Sequence, residues 1–139
     1  MTNSAHIVLE GKPVGKARPR FTRQGRAYTP AKTKDYEMQL RSKATLEMAD
    51  REPTEMPCRV KILAQFETPK SWPKYKQREA ITGESNWRPG KPDIDNIAKA
   101  VLDAFNGVVF KDDALVYKIE VEKRYGMQPL LIASVFFDE

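Results

Sequence analysis

The run from Lys91 to Gly107 limits the possible folds of this chain more than any other stretch. Its apolar residues Ile94, Ile97, Ala98, Val101, Leu102 and Phe105 fall at i, i+3, i+4, i+7, i+8 and i+11. That is the spacing of one continuous buried helix face. Pro92 sets extended geometry before the helix, Asp93 is placed to cap its first turn, and Asn106 with Gly107 supplies its stop. The same spacing puts Asp95, Asn96, Lys99 and Asp103 together on the opposite face. A short connection then brings a further acidic pair, Asp112 and Asp113. The expectation is a firmly anchored helix that displays carboxylates, an amide and a lysine, with two more carboxylates returned by a loop.

The rest of the chain narrows what such a face can do. The only cysteine is Cys58 and the only histidine is His6, so no internal disulfide and no Cys/His zinc cluster can be assembled. Any bound metal must be held by oxygen. There is no phosphate-binding glycine loop, no dinucleotide glycine fingerprint, and no second histidine for a His-Asn-His metal finger. A length of 139 residues suits one domain with its own core. No run approaches the roughly 20 apolar residues of a membrane helix, and the N-terminus lacks signal-peptide character, so a cytoplasmic protein is expected.

The formal charge of +5 is unevenly spread. Between Gly11 and Lys34 stand Lys12, Lys16, Arg18, Arg20, Arg23, Arg26, Lys32 and Lys34 with no acidic residue. A second basic segment holds Lys70, Lys74, Lys76, Arg78, Arg88 and Lys91 against only Glu79 and Glu84. Segregation of this kind favours a polyanion-binding face. Lys12, Lys16, Arg18, Arg20, Arg23, Arg26, Lys70, Lys74, Lys76, Arg88 and Lys91 are the candidate phosphate contacts.

Taken in order, Ile7 to Leu9 read as a first strand, and Phe21–Arg23 with Arg26–Tyr28 as a hairpin around Gln24 and Gly25. Thr29 and Pro30 open a helix running to about Ala49, with Tyr36, Leu40, Ala44 and Met48 at fourfold spacing. Val60, Ile62, Ala64 and Phe66 alternate with Arg59, Lys61, Leu63 and Gln65 as a half-buried strand. The segment from Pro69 to Gly90 reads as a long functional loop with one helical turn near Lys74 to Ile81. Beyond the central helix, Tyr117, Ile119 and Val121 alternate with Lys118, Glu120 and Glu122, a strand with one wet face. Leu130 to Phe137 is apolar enough for an interior strand.

Phosphodiester hydrolysis needs an oxygen nucleophile, compensation of charge on the phosphoryl oxygens, and help for the leaving oxygen. Divalent ions held by close carboxylates, in pairs about 3.5–4 Å apart, meet these needs. Asp93 and Asp95 lie at the favourable dipole end of the helix, Asp113 or Asp112 can complete the set, and Lys99 lies one turn beyond Asp95. Each also has a plainer reading. Asp93 can be a cap, Asp95 and Lys99 an ordinary ion pair, and Asp112 and Asp113 a solvated turn. Asp103, two turns along, fits a surface or capping role better than metal ligation. His6 fits a structural role, Cys58 a buried inert thiol, and Trp72 and Trp87 either stack on unpaired bases or pin the basic loop to the body.

These residues resemble the RusA-type Holliday junction resolvases, small endodeoxyribonucleases common in prophages. The resemblance is carried by Lys91-Pro92-Asp93-Ile94-Asp95-Asn96-Ile97 with Lys99, by Asp103-Ala104 and Asn106-Gly107, and by Asp112-Asp113 with Val116. Gly11-Lys12-Pro13, Arg18-Pro19-Arg20 and Tyr28-Thr29-Pro30 extend it over nearly the whole chain. It implies one α/β (α+β) domain over residues 1–139, a two-layer sandwich with a mixed sheet packed against helices. It also implies a homodimer and Mg²⁺, with Mn²⁺ as a substitute, for paired incisions in a four-way DNA junction. Position by position, Asp93, Asp95 and Asp113 match the family's metal-holding catalytic carboxylates, Lys99 matches its essential lysine, and Asp112 is the adjacent acid. Leu115 departs from the glutamine often found there. Other outcomes for the same scaffold are a nuclease acting on forks or flaps, or a branched-DNA-binding protein that does not cut.

Overall fold

The computed structural model of the chain describes residues 3–138. Four strands form a mixed sheet in the order β1 (Ser4–Glu10), β6 (Leu130–Phe137), β4 (Cys58–Phe66) and β5 (Val116–Tyr125). β6 is antiparallel to both β1 and β4, and β4 is parallel to β5. The register aligns Ile7, Ala133, Ile62 and Val121 in one transverse row. The neighbouring row, His6, Ser134, Lys61 and Glu120, belongs to the other face. Alternation along each strand therefore converts directly into a dry side and a wet side.

Two helices, α1 (Ala31–Met48) and α3 (Ile94–Phe105), complete the core on the dry side. Tyr36, Leu40, Ala44 and Met48 of α1 and Ile97, Val101, Ala104 and Phe105 of α3 share one buried cluster with the inner strand residues. The result is the two-layer α+β sandwich with a mixed sheet that the resemblance implied. Between β4 and β5 the chain also forms α2 (Lys74–Thr82), and a small hairpin, β2 (Arg20–Phe21) with β3 (Ala27–Tyr28), precedes α1. The hairpin strands are shorter than their sequence suggested, because the turn itself takes Thr22 to Arg26, with Gly25 N–H on the Thr22 carbonyl at 2.9 Å.

Several local expectations change. β6 lies inside the sheet, but only Leu131, Ala133 and Val135 are fully buried, because among the described residues no helix covers the side carrying Ile132 and Phe136. Pro30 stands at the position flanking α1 and not inside its first turn, and no side chain caps that helix. The buried side of α3 is Ile97, Ala100, Val101, Ala104 and Phe105. Ile94 is 47% exposed and Leu102 only half-buried. The rotation has a packing cause. The small side chains Ala100 and Ala104 are buried, and Arg41 of α1 reaches over to donate hydrogen bonds to the carbonyls of Ala104 and Asn106. Those carbonyls are among the unsatisfied groups at a helix C-terminus, which Gly107 then leaves with φ of 81°.

Cys58 is fully buried, and its thiol is pushed up to about 11 by desolvation and by the nearby Asp138 charge. Thiolate is the reactive form. At pH 8 the native chain is therefore expected to resist alkylation by iodoacetamide and to react fully once unfolded in guanidinium. Rapid native-state labelling, read by mass spectrometry, would contradict this packing.

Candidate active site

The start of α3 is fixed from three directions. On one side, residues 13–17 cross it as an extended strap. Lys16 N–H donates to the Asn96 carbonyl at 2.8 Å, and Ala17 N–H donates to Thr33 Oγ1 of α1 at 3.3 Å. Gly15 is required by this crossing, since a Cβ there would sit 2.7 Å from Pro92 Cβ and 3.1 Å from Asn96 Cβ. On the other side, Lys123 of β5 donates to the carbonyls of Gly90 (2.8 Å) and Pro92 (3.1 Å). Behind, Ile97 and Val101 are buried in the core.

This leaves one flank of α3 facing β5 across a groove of about 410 Å³. Asp95, Lys99, Asp103 and Asp113 line it, over an apolar floor of Ile94, Ala98, Leu102, Ile119 and Val121. The i, i+4 ridge of the helix accounts for the first three charged groups. Asp113 arrives through a short 3₁₀ turn, Asp113–Leu115, that leads into β5. In that turn Asp112 and Asp113 take different places. The Asp112 side chain accepts a hydrogen bond from Ala114 N–H at 3.0 Å and so caps the turn, while Asp113 enters the groove.

Asp93 does not line the groove. It flanks the helix without a side-chain capping bond, and its Oδ1 accepts from Lys91 Nζ at 3.2 Å. Asp103, expected at the surface, instead faces the groove and forms ion pairs with Lys16 (3.1 Å) and Lys99 (3.8 Å). Among the described residues no three His, Cys, Asp or Glu side chains are gathered closely enough to form a metal-ligand cluster. Asp95 and Asp113 line the same groove, and their carboxylate oxygens are of the donor type that magnesium takes.

Negative charge is crowded around Asp113. The carboxyl of Asp113 is held above its ordinary value, first by the hydrogen bond it shares with Asp112, then by burial and by the negative charges of Asp112 and Asp103, with Lys99 opposing. Crowded carboxylates of this kind are relieved either by a proton or by a metal ion.

The candidate phosphate contacts divide by exposure. Arg20 and Lys32 border a second groove beside Pro92 and the strap. Lys12, Arg18, Arg23, Arg26, Lys70, Lys74, Arg88 and Lys91 are exposed. Lys16 is turned inward, its side chain only 17% exposed and its Nζ 2.6 Å from Glu37. Trp72 and Trp87 pack on each other at 5.7 Å, and Trp72 packs on Tyr125 at 5.3 Å. Lys76 Nζ lies over both indoles, at 4.0 and 4.7 Å. This cluster pins the loop to β5. Nothing in the local sequence around Lys123 or Lys16 signalled their structural roles, whereas Ile119 and Val121 were visible in the alternation of their strand.

The family model described as Endodeoxyribonuclease RusA matches residues 10–135. The chain belongs to this family. It is also similar to an uncharacterized protein of Bacillus subtilis (strain 168), YqaN, at 32% identity over 127 residues, covering 88% of this chain and 89% of the relative. As a RusA-family member the chain is an endodeoxyribonuclease, a phosphodiester hydrolase. No helix among its described residues is long and apolar enough to cross a membrane.

A carboxyl raised above its unfolded value costs stability when ionised, and that cost is relieved as pH falls through its titration range. In EDTA at pH 7, Asp113→Asn is therefore expected to melt above the unaltered chain, the advantage shrinking as the pH is lowered toward about 4. A lower melting temperature for the variant at pH 7 would contradict the repulsion.

Proposed function

We propose that this RusA-family chain is a Mg²⁺-dependent endonuclease that resolves four-way DNA junctions as a homodimer, each protomer cutting one strand. The observation that carries this reading is the convergence of Asp95, Lys99 and Asp113 on one groove. Exposed basic residues stand in the hairpin, next to the strap at Arg18, and in the loop around α2.

Asp95 and Asp113 would hold the metal, with Asp93 and Asp112 beside them in the chain. When bound, the metal supplies an activated water and compensates charge on the phosphoryl oxygens. The chain's own groups do the remaining work. Lys99 extends from the same helix face as Asp95, so its ammonium meets a non-bridging phosphate oxygen or the leaving oxygen of a strand laid along the groove. The apolar floor of Ile94, Leu102 and Ile119 excludes water from one side of that strand, which strengthens these charge interactions. Arg18, Arg20, Arg23, Arg26, Lys70, Lys74, Arg88 and Lys91 hold the duplex arms by their phosphates. Lys16, committed to Glu37 and Asp103, is left out of that set. A cytoplasmic location follows from a DNA substrate.

The decisive experiment compares a labelled four-way junction, a fork and a linear duplex with Mg²⁺, Mn²⁺ or EDTA, beside Asp95→Asn. The unaltered chain is expected to make paired, metal-dependent incisions in the junction. Asp95→Asn should bind it but cut at least about 100-fold more slowly. Binding without incision sinks the enzymatic reading; preferred cutting of the fork transfers it to fork-like substrates; equal cutting of linear duplex sinks junction selectivity. Sedimentation of the complex tests the dimer. The logarithm of the affinity should fall with the logarithm of salt by about 0.9 per phosphate contacted.

A further inference from the structure

We propose that Asp103 is a positioning residue for Lys99, and that Lys16 and Glu37 exist to hold Asp103 in that role. This rests on the reading that Lys99 acts at the scissile phosphate.

Helix energetics argue against Asp103 as a simple stabilising pair. An acid near the C-terminal end of a helix opposes the helix dipole, and α3 ends only two residues later, at Phe105. The order is also unfavourable, because a lysine preceding its acid by four residues is weaker than the reverse. A carboxylate at this position further adds to the negative charge felt by Asp113. All three effects disfavour Asp103 unless another group needs it.

The surroundings show what that need is. Lys16 comes from the strap, distant in sequence, and places its Nζ 2.6 Å from Glu37 Oε1 and 3.1 Å from Asp103 Oδ2. Its side chain and that of Glu37 are 17% and 18% exposed, and the strap backbone is tied to α3 at Asn96. Burial works against the charge of Lys16, but the hydrogen bonds to Glu37 and Asp103 more than offset it. Asp103 is thus clamped from behind, with the same Oδ2 turned to Lys99 at 3.8 Å. Two cations and two anions alternate as Glu37, Lys16, Asp103 and Lys99, so the row adds no net charge to the groove. Lys99 itself is 64% exposed on a flexible stem. Without a fixed anion its ammonium samples many rotamers in water; beside a clamped Asp103 it stays over the groove. The strap carries the fold-wide connection, since moving it unclamps Asp103 and frees Lys99.

The test is a double-mutant cycle on full-length protein with the four-way junction. Asp103→Asn should lower the single-turnover rate about 10- to 100-fold while junction affinity, measured in EDTA, stays within about twofold. Added to Lys99→Met, it should cost less than about twofold more. Lys16→Met should reproduce the Asp103→Asn loss, and Lys16→Arg should restore most of the rate. A wild-type rate for Asp103→Asn, or a full additional loss in the Lys99→Met background, overturns the proposal. A readout independent of cutting is the order parameter of the Lys99 ε-carbon in selectively ¹³C-labelled protein. It should fall in Asp103→Asn and hold in Glu120→Gln, which alters only the exposed side of β5. An unchanged Lys99 signal in Asp103→Asn overturns positioning even if the unaltered chain cuts nothing, and that second result would sink the endonuclease reading separately.

Discussion

The burial of one side of α3 is the constraint on which the rest of this structure depends. Ile97, Val101 and Phe105 are fully enclosed, and truncating a side chain such as Phe105 to alanine in such a setting costs about 3–5 kcal/mol. That anchorage fixes the rotation of the helix about its axis. Once the rotation is set, Asp95, Lys99 and Asp103 have one place to point. Catalytic groups need to be held to within a fraction of an ångström, and a helix seated in a dense core does this better than a loop.

The remaining contacts either fix the two ends of that helix or supply what its exposed flank lacks. The strap and Lys123 hold its start, and Arg41 satisfies carbonyls at its end. The 3₁₀ turn before β5 adds Asp113 from a part of the chain that runs in another direction. Negative charge gathered in this way is costly, and the protein answers it with lysines. Lys99 and Lys16 are paired with Asp103 and Lys91 with Asp93, while the carboxyl of Asp113 stays raised with Lys99 opposing.

Much of this was legible beforehand, for identifiable reasons. The period of α3, the fourfold spacing in α1 and the alternation in β4 and β5 survive folding because each element meets a single core face. The failures are equally local. Asp93 looked like a cap, but Lys91 two residues earlier competes for its side chain. Lys16 looked like a phosphate contact, yet the strap turns it into the protein, where Glu37 and Asp103 await it. Asp103 was assigned to the surface by its distance along the helix, which says nothing of what crosses the helix there.

The sequence by itself determined the elements, the oxygen-only character of any metal site and the family to which the chain belongs. These rest on residue type and short-range period, which a linear chain records. Tertiary structure alone decided which carboxylates share the groove, that Asp112 caps a turn while Asp113 enters the groove, and that Lys16 pairs with Glu37 and Asp103. Those outcomes depend on distances between residues separated by tens of positions. Only the register of the sheet and the seat of α3 against it fix such distances.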